Sequence, residues 1–282
     1  FPVSTILLEV LDKRRSWIMA QLKALVTTAR ESFRLVSVGA QDAFRADPLF
    51  LEDFVAWAAA CGAHRVRLAD TVGVARPLQV AGMVRQLQPL TGHTVLEFHG
   101  HNDLGMATAN TLTAVEAGIV AVSGTVTGLG ERAGNAPLEQ IATALALLAG
   151  CTSCVDIPKL IDVCRFVAHV TRRPISVDQP ITGEGVFHHE SGIHCAGLLK
   201  DPLSYQPFDP EILGRPKAEF VVGRHSGTKV LQHLMAQAGE NLSEADVMQL
   251  LEAVREETFR RGKALSAVDL KRLHRRLVSP LS

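Results

Sequence analysis

The chain has 282 residues, 47% of them apolar, and its 29 basic side chains balance 29 acidic ones. That is enough for one large domain or two modest ones, and zero net charge leaves no electrostatic footprint for nucleic acid or an anionic membrane surface. Five cysteines, an odd number, read as the reduced thiols of a cytoplasmic protein rather than a disulfide framework. Pro2, Glu9 and Asp12 interrupt any secretory h-region at the start. The longest apolar run, around IATALALLAG, falls short of the ~18 residues of a membrane span.

Along the chain a unit repeats. RLVSVGAQD from Arg34, HRVRLADTVG from His64, TVLEFHGHND from Thr94 and IVAVSGTVTG from Ile119 are short runs rich in β-branched residues, each ending in a polar or glycine-containing turn. Helical patterns lie between and after them at 48–61, 79–90, 106–117 and 137–148, the last opened by Asn135 as N-cap. The runs begin about 30, 30 and 25 residues apart, which is βα-unit spacing and predicts a parallel sheet. After Gly150 the character changes, and the boundary is placed between 1–150 and 151–282. A helix near 156–170 leads into a glycine-, proline- and histidine-rich loop region, and VVGRHSGTKVLQHLM starts another helix. Two charged amphipathic helices follow, near 244–261 and 267–277. Cys151 and Cys154 form a lone CxxC with no second pair at zinc-finger spacing.

The stretch VLEFHGHNDLG places His99 and His101 two residues apart at the end of a predicted strand. Residues i and i+2 of a strand point to one side, roughly 7 Å apart, so the two imidazoles can converge on one cation. Such a pair suits zinc, manganese, iron or cobalt, and magnesium less well. LADTVG and GLGERAGN end neighbouring strands and would open onto the same mouth, where open α/β sheets and (βα)8 barrels build their sites. The glycines run GxGxxxG with no acidic residue at Rossmann distance, which excludes a dinucleotide site. His64, His93, His169, His233 and His274 read as structural.

FHGHNDLGMATANTLTAVEAG followed by TVTGLGERAGNAPLE resembles the second signature of the acyl-CoA condensing enzymes that include homocitrate and isopropylmalate synthases. GVFHHESGIH, VVGRHSG and LADTVG resemble further segments of that family, in order and over essentially the whole chain. The resemblance implies the C-terminal half of a (βα)8 TIM barrel, about strands 4–8, followed by a mainly helical subdomain. It also implies a cytoplasmic homodimer that joins the acetyl group of acetyl-CoA to a 2-oxo acid with a divalent metal ion (magnesium, manganese, zinc or cobalt). Carried over residue by residue, His99 and His101 become metal ligands, with Asn135 as a further ligand or a support to them. Glu97 shapes the substrate site, or is a buried ion-pair partner. Thr71 contacts the substrate carboxylate, or is an ordinary strand-end threonine. His194 becomes the acid/base group, Tyr205 its hydrogen-bonding companion and Glu190 a supporting carboxylate.

Ser37 stands where lysine-pathway homocitrate synthases tend to place an arginine for the distal carboxylate of 2-oxoglutarate, and is kept as a substrate-binding position. VSVG followed by DA resembles the homocitrate synthases of nitrogen-fixing bacteria, although Gln41 departs from the glutamate common there. Isopropylmalate and citramalate synthases are the alternatives within the family. A lyase of the superfamily is disfavoured by the GRHSG segment. The family's first signature, DxTLRDGxQ, is absent and FPVSTILLE resembles the end of the fourth strand. The expectation is therefore an N-terminally truncated chain, inactive alone or serving only as a binding or dimerisation module.

Overall fold

The computed structural model describes residues 1–148, 155–215 and 219–278, and the Cys151/Cys154 pair lies outside them. The chain forms two compact units, Phe1–Asp156 with Val163–Pro174, and Ile157–Asp162 with Ile175–Ser282.

The first unit opens with helices α1 (Thr5–Val10) and α2 (Arg15–Ser32). The sequence reading begins its repeat at Arg34 and passes over α2, although Ile18, Leu22 and Val26 mark one buried face at helical spacing. Four strands follow, β1 (Ser37–Ala40), β2 (Arg65–Asp70), β3 (Val95–Gly100) and β4 (Ala121–Ser123). They alternate with helices α3 (Pro48–Ala60), α4 (Pro77–Leu87), α5 (Ala107–Glu116) and α6 (Leu138–Leu147). All pairings are parallel and the strand order is 1-2-3-4. Sequential parallel strands with a helix after each are the arrangement of an arc of a (βα)8 barrel. Residues 1–3 pair with the end of β1, where Val3 N–H donates to the Gln41 carbonyl at 3.1 Å.

Local chemistry explains the helix starts. Asp47 accepts from Phe50 N–H and Pro48 occupies the first turn of α3, while Pro77 opens α4. The expected Asn135 cap is not formed. Pro137 holds the N-cap position of α6, and Asn135 is drawn instead into a β-bridge with His101.

The two faces of the sheet differ in chemistry. Val38, Ala40, Val66, Leu68, Leu96 and Phe98 point to the helices and are buried with Phe50, Phe54, Val55, Val80 and Val84. Burying a side chain of the size of Leu68 or Phe98 is worth ~1.5–3 kcal/mol. Ser37, Gly39, Arg65, Arg67, Ala69, Glu97, His99 and Ser123 alternate with these and line the other face.

Helix α7 (Ile157–Thr171) contributes residues to both units. The second unit adds β5 (His188–His189), α8 (Gly192–Leu198), β6 (Glu219–Phe220), α9 (Thr228–Gln237), α10 (Glu244–Arg261) and α11 (Ala267–Val278). Its main core joins Val222, Val230, Leu231, Met235, Leu250, Val254 and Leu265. Ser243 and Asp246 close a reciprocal capping box at the start of α10, and Gly262 ends that helix at φ 66°. Within the segment read as loop, α8 is a true helix. The VVGRHSG motif is loop, and α9 begins only at Thr228. No helix of the described residues is long and apolar enough to cross a membrane.

Candidate active site

In the first unit the strand mouths gather His99, His101, Thr71 and Asn135. The rings of His99 and His101 meet edge to face with centroids 4.9 Å apart. His101 Nδ1 lies 3.1 Å from the Asp70 carbonyl oxygen, which makes Nδ1 the protonated nitrogen and leaves the lone pair on Nε2. His99 Nδ1 is buried without a hydrogen-bond partner. Burial first, then the charges of His101 and Arg67, lower His99 to a pKa of about 4, so its ring is neutral near pH 7.

Asn135 donates from Nδ2 to the Leu129 carbonyl at 2.9 Å, which fixes the amide and turns out a buried Oδ1 with no partner. Its loop leaves no room for side chains: a Cβ at Gly134 (φ +87°) would overlap the Gly128 carbonyl, and one at Gly130 would overlap the Asn135 amide. Two imidazoles and an amide oxygen, with two of their polar atoms buried and unpartnered, fit a divalent cation. Among the described residues no group of three or more His, Cys, Asp or Glu completes such a site.

Thr71 Oγ1 accepts from Asp42 N–H at 2.8 Å, which leaves its own proton free to donate. Glu97 is buried and committed. Oε2 accepts from Arg65 at 3.0 Å and Oε1 from the Ser123 hydroxyl, so the ion-pair reading describes its contacts. Ser37 is not brought to the mouth. It is paired in register with Arg65 at the start of β2, whereas His99 is in register with Ala69 near that strand's end.

Sequence reasoning missed three residues around this site, though each stood inside a quoted motif. Arg132 binds both carboxylate oxygens of Asp103 and donates to the Thr71 carbonyl, tying together the loops after β2, β3 and β4. Asp103 is held below the usual carboxylate range, chiefly by that guanidinium. Glu139 is fully buried, and its Oε2 accepts from Thr127 N–H at 3.0 Å. Thr127 has left-handed φ 57° at the base of the glycine loop. The Cys164 thiol beside Glu139 is pushed up to about 12 by burial and by that carboxylate.

In the second unit His194, on α8, stacks on Tyr205, with ring centroids 4.2 Å apart and planes at 26°. Both are exposed. Glu190 has a different engagement. Its Oε1 accepts from His225 N–H at 3.1 Å, its carbonyl accepts from Ser226, and Gly223 packs against its carboxylate, so it anchors the GRHSG loop. His189 is lowered by burial and then by its neighbours His194 and His188.

Residues 1–167 match the family described as HMGL-like, and residues 181–261 match the homocitrate synthase post-HMGL domain-like family. The chain belongs to the HMGL-like family. It is 39% identical over 256 residues to homocitrate synthase 1 of a Nostoc species, covering 90% of this chain and 67% of that protein. It is 38% identical over 264 residues to 2-isopropylmalate synthase 2 of Caldanaerobacter subterraneus, covering 94% and 68%. The chain thus spans about two thirds of the length of these relatives. Among solved structures, an HMG-CoA lyase of Bacillus subtilis superposes with a TM-score of 0.56 at 22% identity, covering 62% of each chain. That likeness concerns the fold.

Proposed function

We propose that the chain belongs to an enzyme that condenses acetyl-CoA with 2-oxoglutarate, releasing homocitrate and CoA. The observation that carries the reading is the set of donor atoms at the mouth of β3: His99 Nδ1 and Asn135 Oδ1 are buried without partners, and His101 Nε2 keeps its lone pair. A family match over both units and relatives named for such syntheses support it.

In this reading His99, His101 and Asn135 hold a divalent ion, whether magnesium, manganese, zinc or cobalt. Such an ion supplies Lewis-acid polarisation of the substrate ketone. Thr71 donates its free proton to the oxo-acid carboxylate. His194 would take a proton from the acetyl methyl. The carbon electron pair forms the new bond to the ketone carbon as the carbonyl π pair moves onto oxygen, which takes up a proton to become the hydroxyl. Water then cleaves the thioester to give the carboxylate and free CoA. An imidazole suits that proton transfer near neutral pH. Tyr205 keeps the ring in place by stacking, and Glu190 supports it through the GRHSG loop. The working assembly is read as a cytoplasmic homodimer. VSVG followed by DA supports a role in supplying homocitrate for a nitrogenase cofactor.

The test is thiol release from acetyl-CoA by the whole enzyme that contains this chain, followed side by side with 2-oxoglutarate, 2-oxoisovalerate and pyruvate in the presence of each metal. The expected outcome is a clear preference for 2-oxoglutarate. A preference for 2-oxoisovalerate would assign the isopropylmalate reaction instead, and release with none of the three would overturn the reading.

A further inference from the structure

The inner face of the sheet carries two arginines, and they are not equivalent. Arg65 is neutralised by Glu97 at 3.0 Å. Both oxygens of Glu97 are taken, one by Arg65 and the other by Ser123. Arg67 therefore has no carboxylate left on the neighbouring strand, and among the described residues it makes no ion pair or hydrogen bond. Nearer the mouth, Arg45 and Arg132 are each satisfied by an aspartate, Asp42 and Asp103 respectively. Arg67 is the exposed, uncompensated guanidinium of this face.

Its position is informative. Arg67 is in register with Gly39 on one side and Glu97 on the other. Gly39 has no side chain, and the guanidinium lies over it, with Nη2 3.6 Å from where a Cβ would stand. His99 is in register with Ala69, two residues further along β2. Two residues of strand advance ~6.6 Å. An oxo acid held by its ketone end at His99 and Thr71 would extend down this face toward Arg67. Two methylene groups and a carboxylate cover about that distance. A guanidinium offers a planar fork matched to a carboxylate, and such charge-assisted pairs are about twice as strong as neutral ones. Ser37 lies a further two residues down the face, in register with Arg65, and has neither the reach nor the charge.

We infer that Arg67 is the specificity-determining residue that binds the distal carboxylate of a dicarboxylic 2-oxo acid. The inference rests on the reading of the His99 end as the oxo-acid site, and it gives that site, from this chain's own residues, a means of preferring a diacid over its monoacid analogue.

The experiment compares 2-oxoglutarate with 2-oxovalerate, which has the same chain length and a methyl in place of the distal carboxylate. For the whole enzyme that contains this chain, in its wild-type, Arg67→Gln and Arg67→Lys forms, binding of each acid is measured by calorimetry and thiol release from acetyl-CoA by kcat/KM. The diacid-to-monoacid ratio is expected to fall roughly 10- to 100-fold in Arg67→Gln and to recover in part in Arg67→Lys, which keeps the charge and loses the fork. An unchanged ratio in Arg67→Gln, with wild-type condensation intact, overturns the role of Arg67 and leaves the proposed reaction standing. Wild-type protein that binds the two acids equally also overturns it. An Arg67-dependent binding preference without any thiol release leaves the inference standing and removes the condensation. Failure to bind either acid removes both.

Discussion

Gly197 lies directly beneath the ring of Tyr205, and a methyl group there would come within 2.6 Å of Cε2. The glycine sits one turn after His194 on α8, so the bare backbone lets the phenol ring settle over the helix and stack on the imidazole. Gly197→Ala should improve the intrinsic propensity of α8 by ~1 kcal/mol while pushing Tyr205 off the stack. The expected result is unchanged or higher thermal stability with a drop in kcat comparable to that of Tyr205→Ala. A variant with full kcat would show that the stacked geometry is dispensable.

The Arg132 grip on Asp103 and on the Thr71 carbonyl is expected to act as one device. Arg132→Ala and Asp103→Asn should each lower kcat/KM by about tenfold, and the double variant by little more than either alone, because the second change breaks a contact already lost. Because the pair is partly exposed, with side-chain exposures of 39% and 22%, melting temperature should barely move. Multiplicative losses in the double variant would separate the two residues.

Glu139 offers a pH signature. Burial raises its carboxyl above the ordinary 4.5. Between 4.5 and that raised value the folded protein keeps a proton which the unfolded chain has released, so this group's contribution to stability falls as pH rises. Gln at this position can still accept from Thr127 N–H and carries no charge to bury. Glu139→Gln should therefore gain stability over wild type as pH rises from about 4.5 toward neutrality, read as the difference in urea midpoints at pH 4.5 and 8. A difference independent of pH would mean that the buried carboxyl does not titrate in this range.

Replacing His99 and His101 together with alanine should abolish retention of a divalent ion and lower condensation below detection, with a far-ultraviolet dichroism spectrum close to wild type. Metal content after dialysis is the readout. Unchanged stoichiometry would remove both histidines from the ligand set.

Much of this was legible beforehand because it depends on local pattern. The alternation that buries Leu96 and Phe98 also sets His99 on the opposite face, and strand periodicity reports that directly. Asp47 and Pro48 announce α3 in the same way. What escaped depends on partners distant in the chain. Nothing near Glu97 in sequence shows that Arg65, thirty-two positions earlier, neutralises it, and nothing near Arg132 shows that it reaches Asp103 and Thr71. Asn135 was misread as a cap because a short polar residue ahead of a helix carries the same local signal whether it caps or bridges. The register with His101 decides between them, and register is a property of the folded sheet.

The unequal faces of that sheet also govern how it can assemble. Sliding β2 by one residue against β1 and β3 would carry Arg65 and Arg67 under the helices and turn Val66 and Leu68 outward. Each stranded guanidinium would then cost several kcal/mol of lost hydration, more than the hydrogen bonds of a slipped pairing could return. The charges on this face thus make a one-residue slip of the strands untenable. Replacing them with apolar residues would leave a chain with more than one acceptable way to zip its sheet.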